Sequence, residues 1–344
     1  MSNELESAQR FLFDASDLDG AFAINCMLNG DDVRAINCNI PAVVTPRQSP
    51  PSQLLDLLSN SISTATKRAY EADLADYEAF GGAIPATADK LALYLAALSE
   101  THKPATITRR LSAIGKAHRM KGWPDPTKSE IIKATVRGIR RTQGTAQQEA
   151  KPLLRDDLYE ILAAMGQGAK DVRDKALLLV GFAGGFRRSE LVSLDISDIE
   201  HVREGVVLTL RRSKTDQEAR GRKIGIPLAR GRWCPVKALE NWCDLAGNLE
   251  GPIFRSINRH GHVRDRLSGE AVSLIVRERL TAIGRRSDGY SGHSLRAGFV
   301  TSAAISGVAS HKIRAQTGHA SDAMLERYIR DSDLFINNAA GAIL

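Results

Sequence analysis

Apolar residues recur with a helical period through most of the chain. Ser63 and Thr64 are placed to cap a helix that runs through Arg68, Tyr70, Leu74 and Tyr77 towards Gly81-Gly82. Leu91, Leu93, Tyr94 and Leu98 mark a second helix, and Thr106 opens a third. In that third segment Ile107, Leu111 and Ile114 share one face, while Arg109, Lys116 and Arg119 fall on another. A fourth helix follows Pro124 and Pro126. It turns Ile132, Val136 and Ile139 inward and carries Lys133, Arg137, Arg140 and Arg141 as one basic stripe. Residues 52–142 therefore predict a small helical domain.

Residues 143–150 (QGTAQQEA) have no apolar period and predict a linker. Lys151-Pro152-Leu153 opens a second domain, 151–344. Helices are expected at 155–166 and 171–183, and another from Arg187. The segments starting at Gly205 and Lys223 predict two strands flanking a turn rich in Lys, Thr, Asp and Arg. Further helices are expected at about 235–247, 268–283, 294–306, 310–316, 321–330 and 332–340. The pattern is mainly α with a small antiparallel β-sheet.

Residues 1–51 mix short apolar patches with acidic and Asn/Gly stretches before a run of prolines, and predict a poorly ordered arm. Charge sharpens this division. The 344 residues carry 47 Lys+Arg against 40 Asp+Glu, a net +7 that alone says little. Residues 1–60 hold −5 of it, residues 61–150 hold +5, and the remainder holds +7. Eleven Lys and Arg fall within 101–141 against only Asp125 and Glu130. An acidic arm followed by a basic body points to nucleic acid, with the two basic helix faces laid on a phosphate backbone.

The composition excludes a fibre, and no apolar run reaches the roughly 18 residues of a membrane span. The polar start lacks the basic end of a secretion signal, so a soluble cytoplasmic protein is expected. Cys26, Cys38, Cys234 and Cys243 have no zinc-type spacing and are read as reduced thiols. No metal and no cofactor is expected.

Four short pieces stand out: Gly185-Phe-Arg-Arg-Ser-Glu-Leu191, Ser213-Lys-Thr-Asp216, His293-Ser-Leu-Arg296, and Gly318-His319 with Tyr328 nine residues on. Each is weak alone. Their order and spacing, over about residues 52–340, resemble the tyrosine recombinase (phage integrase) family. Phe186, where Leu is more usual, departs from the pattern in packing only. His319 is the common residue at its position.

The residue types suit that chemistry. Breaking a phosphodiester without hydrolysis needs a side-chain nucleophile, positive charge on the non-bridging oxygens and a proton for the leaving 5′ oxygen. A tyrosine phenolate costs roughly 4 kcal/mol to reach at neutral pH, so its proton must be shared or removed during attack. Arginines offer planar, permanently charged forks to phosphate oxygens.

The resemblance implies an N-terminal helical core-binding (SAM-like) domain and a C-terminal mixed catalytic domain. It implies that Arg187 and Arg296 clamp the scissile phosphate, Lys214 protonates the 5′ oxygen, His293 positions or deprotonates the nucleophile, His319 bonds the phosphate and Tyr328 attacks. Glu190 would brace the site, although a plain acid at a helix N-terminus explains it nearly as well. Lys223 is the runner-up to Lys214, and Arg188 is read as surface or DNA-backbone. Arg259, in a loop with His260 and His262, is read as a phosphate contact. The apolar stretch 332–344 would dock into a neighbouring subunit and build a homotetramer on double-stranded DNA carrying specific sites. The expected activity is site-specific strand exchange through a 3′-phosphotyrosine, without metal or ATP. A type IB topoisomerase and a non-catalytic DNA-binding protein are the rivals.

Overall fold

A computed structural model describes residues 61–145, 149–211, 221–247, 249–319, 321, 322, 325 and 328. The acidic arm, the turn carrying Lys214 and the 332–344 segment lie outside them. The chain divides into two compact units, Met1–Gln147 and Gln148–Leu344. Among the described residues no helix is long and apolar enough to cross a membrane.

The first unit has four helices: α1 (Thr64–Ala79), α2 (Ala88–Thr101), α3 (Pro104–Met120) and α4 (Glu130–Gln143). Ser63 caps α1, its hydroxyl accepting from the Thr66 amide at 3.2 Å. The third helix starts two residues earlier than Thr106, because Pro104 suits a first-turn position whose missing N–H has no partner to lose. Tyr77, Leu91, Tyr94, Leu95, Leu98, Ile107, Ile114, Ile132 and Ile139 form one buried core. His118 is structural. Its Nε2 accepts from the Ala86 amide at 2.8 Å, so Nδ1 carries the proton and donates to the Ile114 carbonyl at 2.8 Å.

The second unit begins with α5 (Arg155–Ala164), α6 (Ala169–Ala183) and the short α7 (Arg188–Ser193). A three-stranded antiparallel sheet follows, in the order β1 (Ile199–Val202), β2 (Gly205–Leu210), β3 (Arg222–Pro227). The sequence predicts β2 and β3. It misses β1, three of whose four residues are exposed and which contains Glu200 and His201. Next come α8 (Pro235–Ala246), a hairpin of β4 (Arg255–Ile257) and β5 (Val263–Arg266), then α9 (Gly269–Ala282), α10 (His293–Ile305) and α11 (Ser310–Thr317).

The hairpin replaces the loop expected around His260. Asn258 closes its turn by accepting from the His260 and His262 amides at 2.9 and 3.0 Å. The central α6, nearly all buried over residues 176–181, packs against α8 and α10 in one apolar core. Trp242 is fully buried there, its indole N–H donating to the Ile253 carbonyl at 2.7 Å. This frame holds α7, α10 and α11 as fixed supports for the polar groups between them.

Candidate active site

The first support is the break between α6 and α7. Gly185 takes φ +58°, and a Cβ there would meet the Thr317 methyl at 2.8 Å, so glycine is required on both counts. Arg187 is extended and opens α7. Buried Glu190, three residues on, accepts from the Arg187 amide at 3.0 Å and from Arg187 Nη1 at 2.6 Å. One carboxylate therefore caps the helix and aims the guanidinium. Arg188 points outward and pairs with Glu270 at 2.9 Å.

The second support is α10. Arg296 is only 1% exposed, and its Nη1 donates to the Gly185 carbonyl at 2.7 Å and the Thr317 carbonyl at 2.6 Å. Its Nη2 is buried with no hydrogen-bond partner among the described residues. Burial, then repulsion from Arg187, lowers its pKa to about 10, which still leaves a cation at neutral pH. A buried cation held by two neutral carbonyls has large desolvation left to recover. An anion would supply it.

The third support is the turn after α11. Gly318 is left-handed (φ +67°) and delivers His319, which is 7% exposed. His319 Nδ1 lies 2.7 Å from Thr317 Oγ1, which in turn reaches the Ile313 carbonyl at 2.7 Å. The hydroxyl has one proton. Directed to the carbonyl, it leaves the ring proton on Nδ1; rotated to Nδ1, it leaves an Nε2–H donor free. Burial, with repulsion from Arg296 and Arg187, pushes the His319 pKa down to about 3, so the ring is neutral. His293, at the start of α10, is lowered too, by desolvation and then by Arg296 and Arg187. Its Nε2 lies 3.4 Å from the Tyr328 hydroxyl. Tyr328 packs on the apolar cluster of Val300, Ile313 and Leu325, and its ring centroid is 6.3 Å from that of His319.

Arg187, Glu190, His293, Arg296, His319 and Tyr328 thus converge, from positions spread over more than 140 residues. Lys214 lies outside the described residues. Lys223 pairs with Glu200 at 3.2 Å on the open side of the sheet. Two groups carried no signal in the sequence. Thr317 had only its place before Gly-His to mark it, and Arg222, at the start of β3, had none.

In the first unit, the bases of α3 are more compensated than the local scarcity of acids suggests. Asp73 on α1 takes Arg109 at 2.6 Å, Asp76 takes Arg110, and Asp125 takes Arg119. On α4, Glu130 meets Lys133 at 3.6 Å and Arg137 at 3.3 Å. Arg140 reaches the Thr108 hydroxyl at 3.4 Å, while Lys116 and Arg141 have no ion-pair partner among the described residues. In the second unit, Arg259 is exposed on the β4–β5 turn with Nε 3.1 Å from His260.

Residues 151–334 match the model of the phage integrase family. The chain is also 37% identical over 294 residues to an integrase/recombinase xerD homolog from Selenomonas ruminantium, covering 82% of this chain and 86% of that one. The chain belongs to the phage integrase family. Tyrosine recombinases of this family share its fold among solved structures. The XerH site-specific recombinase bound to a palindromic difH substrate, in a post-cleavage complex, superposes with a TM-score of 0.60 at 17% identity, covering 84% of this chain and 83% of that one. A lambda integrase tetramer bound to a Holliday junction gives 0.56 at 18% identity, covering 80% and 75%. In this phage integrase family member, both the chain segment that matches the family and the side chains that converge lie in the second unit.

Proposed function

We propose that this tyrosine recombinase cuts and exchanges DNA strands at specific sites, with Tyr328 as the nucleophile. The observation that carries the reading is the pairing of the Tyr328 hydroxyl with His293 Nε2 at 3.4 Å, beside a buried arginine whose Nη2 has no hydrogen-bond partner among the described residues. In this scheme a phosphate enters against Arg187 and Arg296, whose forks take the non-bridging oxygens and stabilise the pentavalent transition state. Neutral His293 accepts or shares the phenol proton as the oxygen attacks phosphorus. Phosphate binding selects the Thr317 rotamer that frees His319 Nε2–H to donate to the same group. Lys214 protonates the departing 5′ oxygen. The energy of the broken bond is kept in the 3′-phosphotyrosine, so a 5′ hydroxyl from a partner duplex religates without ATP.

The proposal extends to the chain's organisation. Residues 52–142 bind the core of the site, 143–150 link, 151–331 catalyse, 332–344 dock on a neighbour, and 1–51 form an arm. The partner is double-stranded DNA, and a homotetramer assembles on it, as the lambda integrase does on its Holliday junction.

The test uses a duplex site recovered from randomised DNA by selection on the protein, nicked to trap the covalent complex. Wild type should give a protein–DNA band that survives denaturation, and Tyr328→Phe should give none while still binding the duplex. A band that persists in Tyr328→Phe refutes Tyr328 as nucleophile, and no band with wild type refutes the enzyme.

A further inference from the structure

Arg222 opens β3 immediately after the segment that carries Lys214, and it is three-quarters buried between α7 and the end of α11. Its Nη1 donates to the Gln316 carbonyl at 2.9 Å, in the last turn of α11. Its Nη2 lies 3.9 Å from Glu190 Oε2 and has no hydrogen-bond partner among the described residues. Gly318 is packed on the same guanidinium: a Cβ there would stand 2.5 Å from Arg222 Nη1. Gln316 strengthens the seam, its side-chain amide donating to Ala183 O at 3.0 Å and to Gly225 O, on β3, at 3.1 Å.

These contacts close a ring. Arg187 is held by Glu190, and Glu190 faces Arg222. Arg222 holds Gln316, whose neighbour Thr317 accepts from Arg296. Arg296 also donates to Gly185, two residues before Arg187. Arg187 therefore rests on the carboxylate that Arg222 faces, Arg296 rests on the residue after the one that Arg222 holds, and the glycine that delivers His319 packs on Arg222 itself. Two guanidiniums pair with one carboxylate and a third rests on backbone carbonyls alone, an arrangement that pure stability disfavours and an anion rewards.

We infer that Arg222 is a positioning residue for strand cleavage: it locks Glu190 and the 316–318 turn so that Arg187, Arg296 and His319 close on one phosphate. The inference rests on the phosphodiester-cleavage reading above. The contacts of Arg222 are with a carboxylate and the backbone carbonyls of Ala315 and Gln316, so it acts through the clamp rather than on DNA. Its planar fork reaches both at once. A lysine, as a single point charge, reaches one.

Single-turnover covalent-complex formation on the selected, nicked site tests this, with Arg222→Met and Arg222→Lys beside wild type. Met should slow cleavage by about 10- to 100-fold, below the 10²–10³ typical of losing a direct donor. Lys should fall between Met and wild type. Duplex affinity should change less than about threefold for both. The deciding arm repeats the assay with a methylphosphonate at the scissile position, whose neutral phosphorus centre needs less cationic help. The wild-type-to-variant rate ratio should shrink towards one there if Arg222 sets the clamp.

An equal loss on both substrates would mean that Arg222 is only structural, and overturns the inference. No loss on the phosphodiester overturns it too. If Met melts before the assay temperature, the comparison is made on Lys, for which the same ratios decide. Absence of a covalent band with wild type sinks the cleavage reading itself, a result distinct from any pattern among the variants.

Discussion

In the first unit the arginines of α3 and α4, Arg110 apart, lie at the surface, and several meet an acid that α1 or the loop before α4 provides, as Asp73 meets Arg109 and Asp125 meets Arg119. In the second unit Arg187, Arg222 and Arg296 turn inward, and among the described residues the carboxylate that meets them is Glu190. Carbonyl oxygens of Gly185, Gln316 and Thr317 hold what Glu190 does not. The Glu130 pairs on α4 are exposed on both sides and contribute about 0–1 kcal/mol, whereas the side chains of Asp73 and Asp125 are buried and would be left unpaired if their arginines turned to a phosphate. A buried, under-neutralised arginine costs far more without its anion. The first arrangement suits contact with a polyanion anywhere along its length. The second suits a single phosphate.

The sharpest break of this contrast is at Arg296. Arg296→Lys keeps a cation but loses the fork that bridges two carbonyls while offering Nη2 inward. Covalent-complex formation on the nicked site should fall by about 10²–10³-fold, with duplex affinity nearly unchanged. A fall in affinity matching the fall in rate would show that Arg296 grips DNA as the exposed arginines do.

The same contrast explains what was legible in the sequence. The motif residues Arg187, Glu190, His293, Arg296, His319 and Tyr328 stand at fixed spacings because each is delivered by a short local device: a glycine break, the first turns of α7 and α10, a left-handed Gly318. Helical periods placed α1 to α4 and most of the second unit for a similar reason, since one face of each helix is buried. Arg222 was not legible. Its contacts are with backbone carbonyls 93 and 94 residues away and with Glu190, and a carbonyl leaves no residue type to recognise. The compensation of α3 was hidden for the same reason: Asp73 and Asp76 lie more than 30 residues before the arginines that they meet. The β4–β5 hairpin was hidden by its composition, in which arginine and histidine outnumber apolar residues.

A second measurement asks whether the inward cluster carries its charge even without DNA. The fold keeps His319 neutral down to about pH 3, whereas an unfolded histidine takes a proton near pH 6.5. The unfolded state then binds more protons below pH 6.5, so this group's contribution to stability falls as pH drops from 6.5 towards 3. The slope from one such site is at most about 1.4 kcal/mol per pH unit. His319→Gln should flatten the wild-type curve of denaturant stability against pH in that window, and leave it unchanged above pH 7. Adding the duplex should shift the wild-type fall to lower stability loss, because a phosphate stabilises the protonated ring. Parallel curves for wild type and His319→Gln would mean that burial and the neighbouring arginines do not hold the histidine neutral.

The smallest effect tests the surface half of the comparison, and it does so between two arginines of the first unit. Arg141 has no ion-pair partner among the described residues, while Arg119 is already paired with Asp125. Each phosphate that a free cation neutralises contributes about 0.9 to the slope of log affinity against log salt. If Arg141 meets the duplex, Arg141→Ala should lower the slope by about that much. Arg119→Ala should lower it by less, because Asp125 must first be released and is left unpaired. Neither change should alter the rate of covalent-complex formation at saturating protein, since neither side chain supports the clamp. A gel-shift titration at three salt concentrations reads the slopes. Equal slopes for the two variants would show that Asp125 yields Arg119 to DNA freely, and would make the compensated and uncompensated bases of this unit one surface.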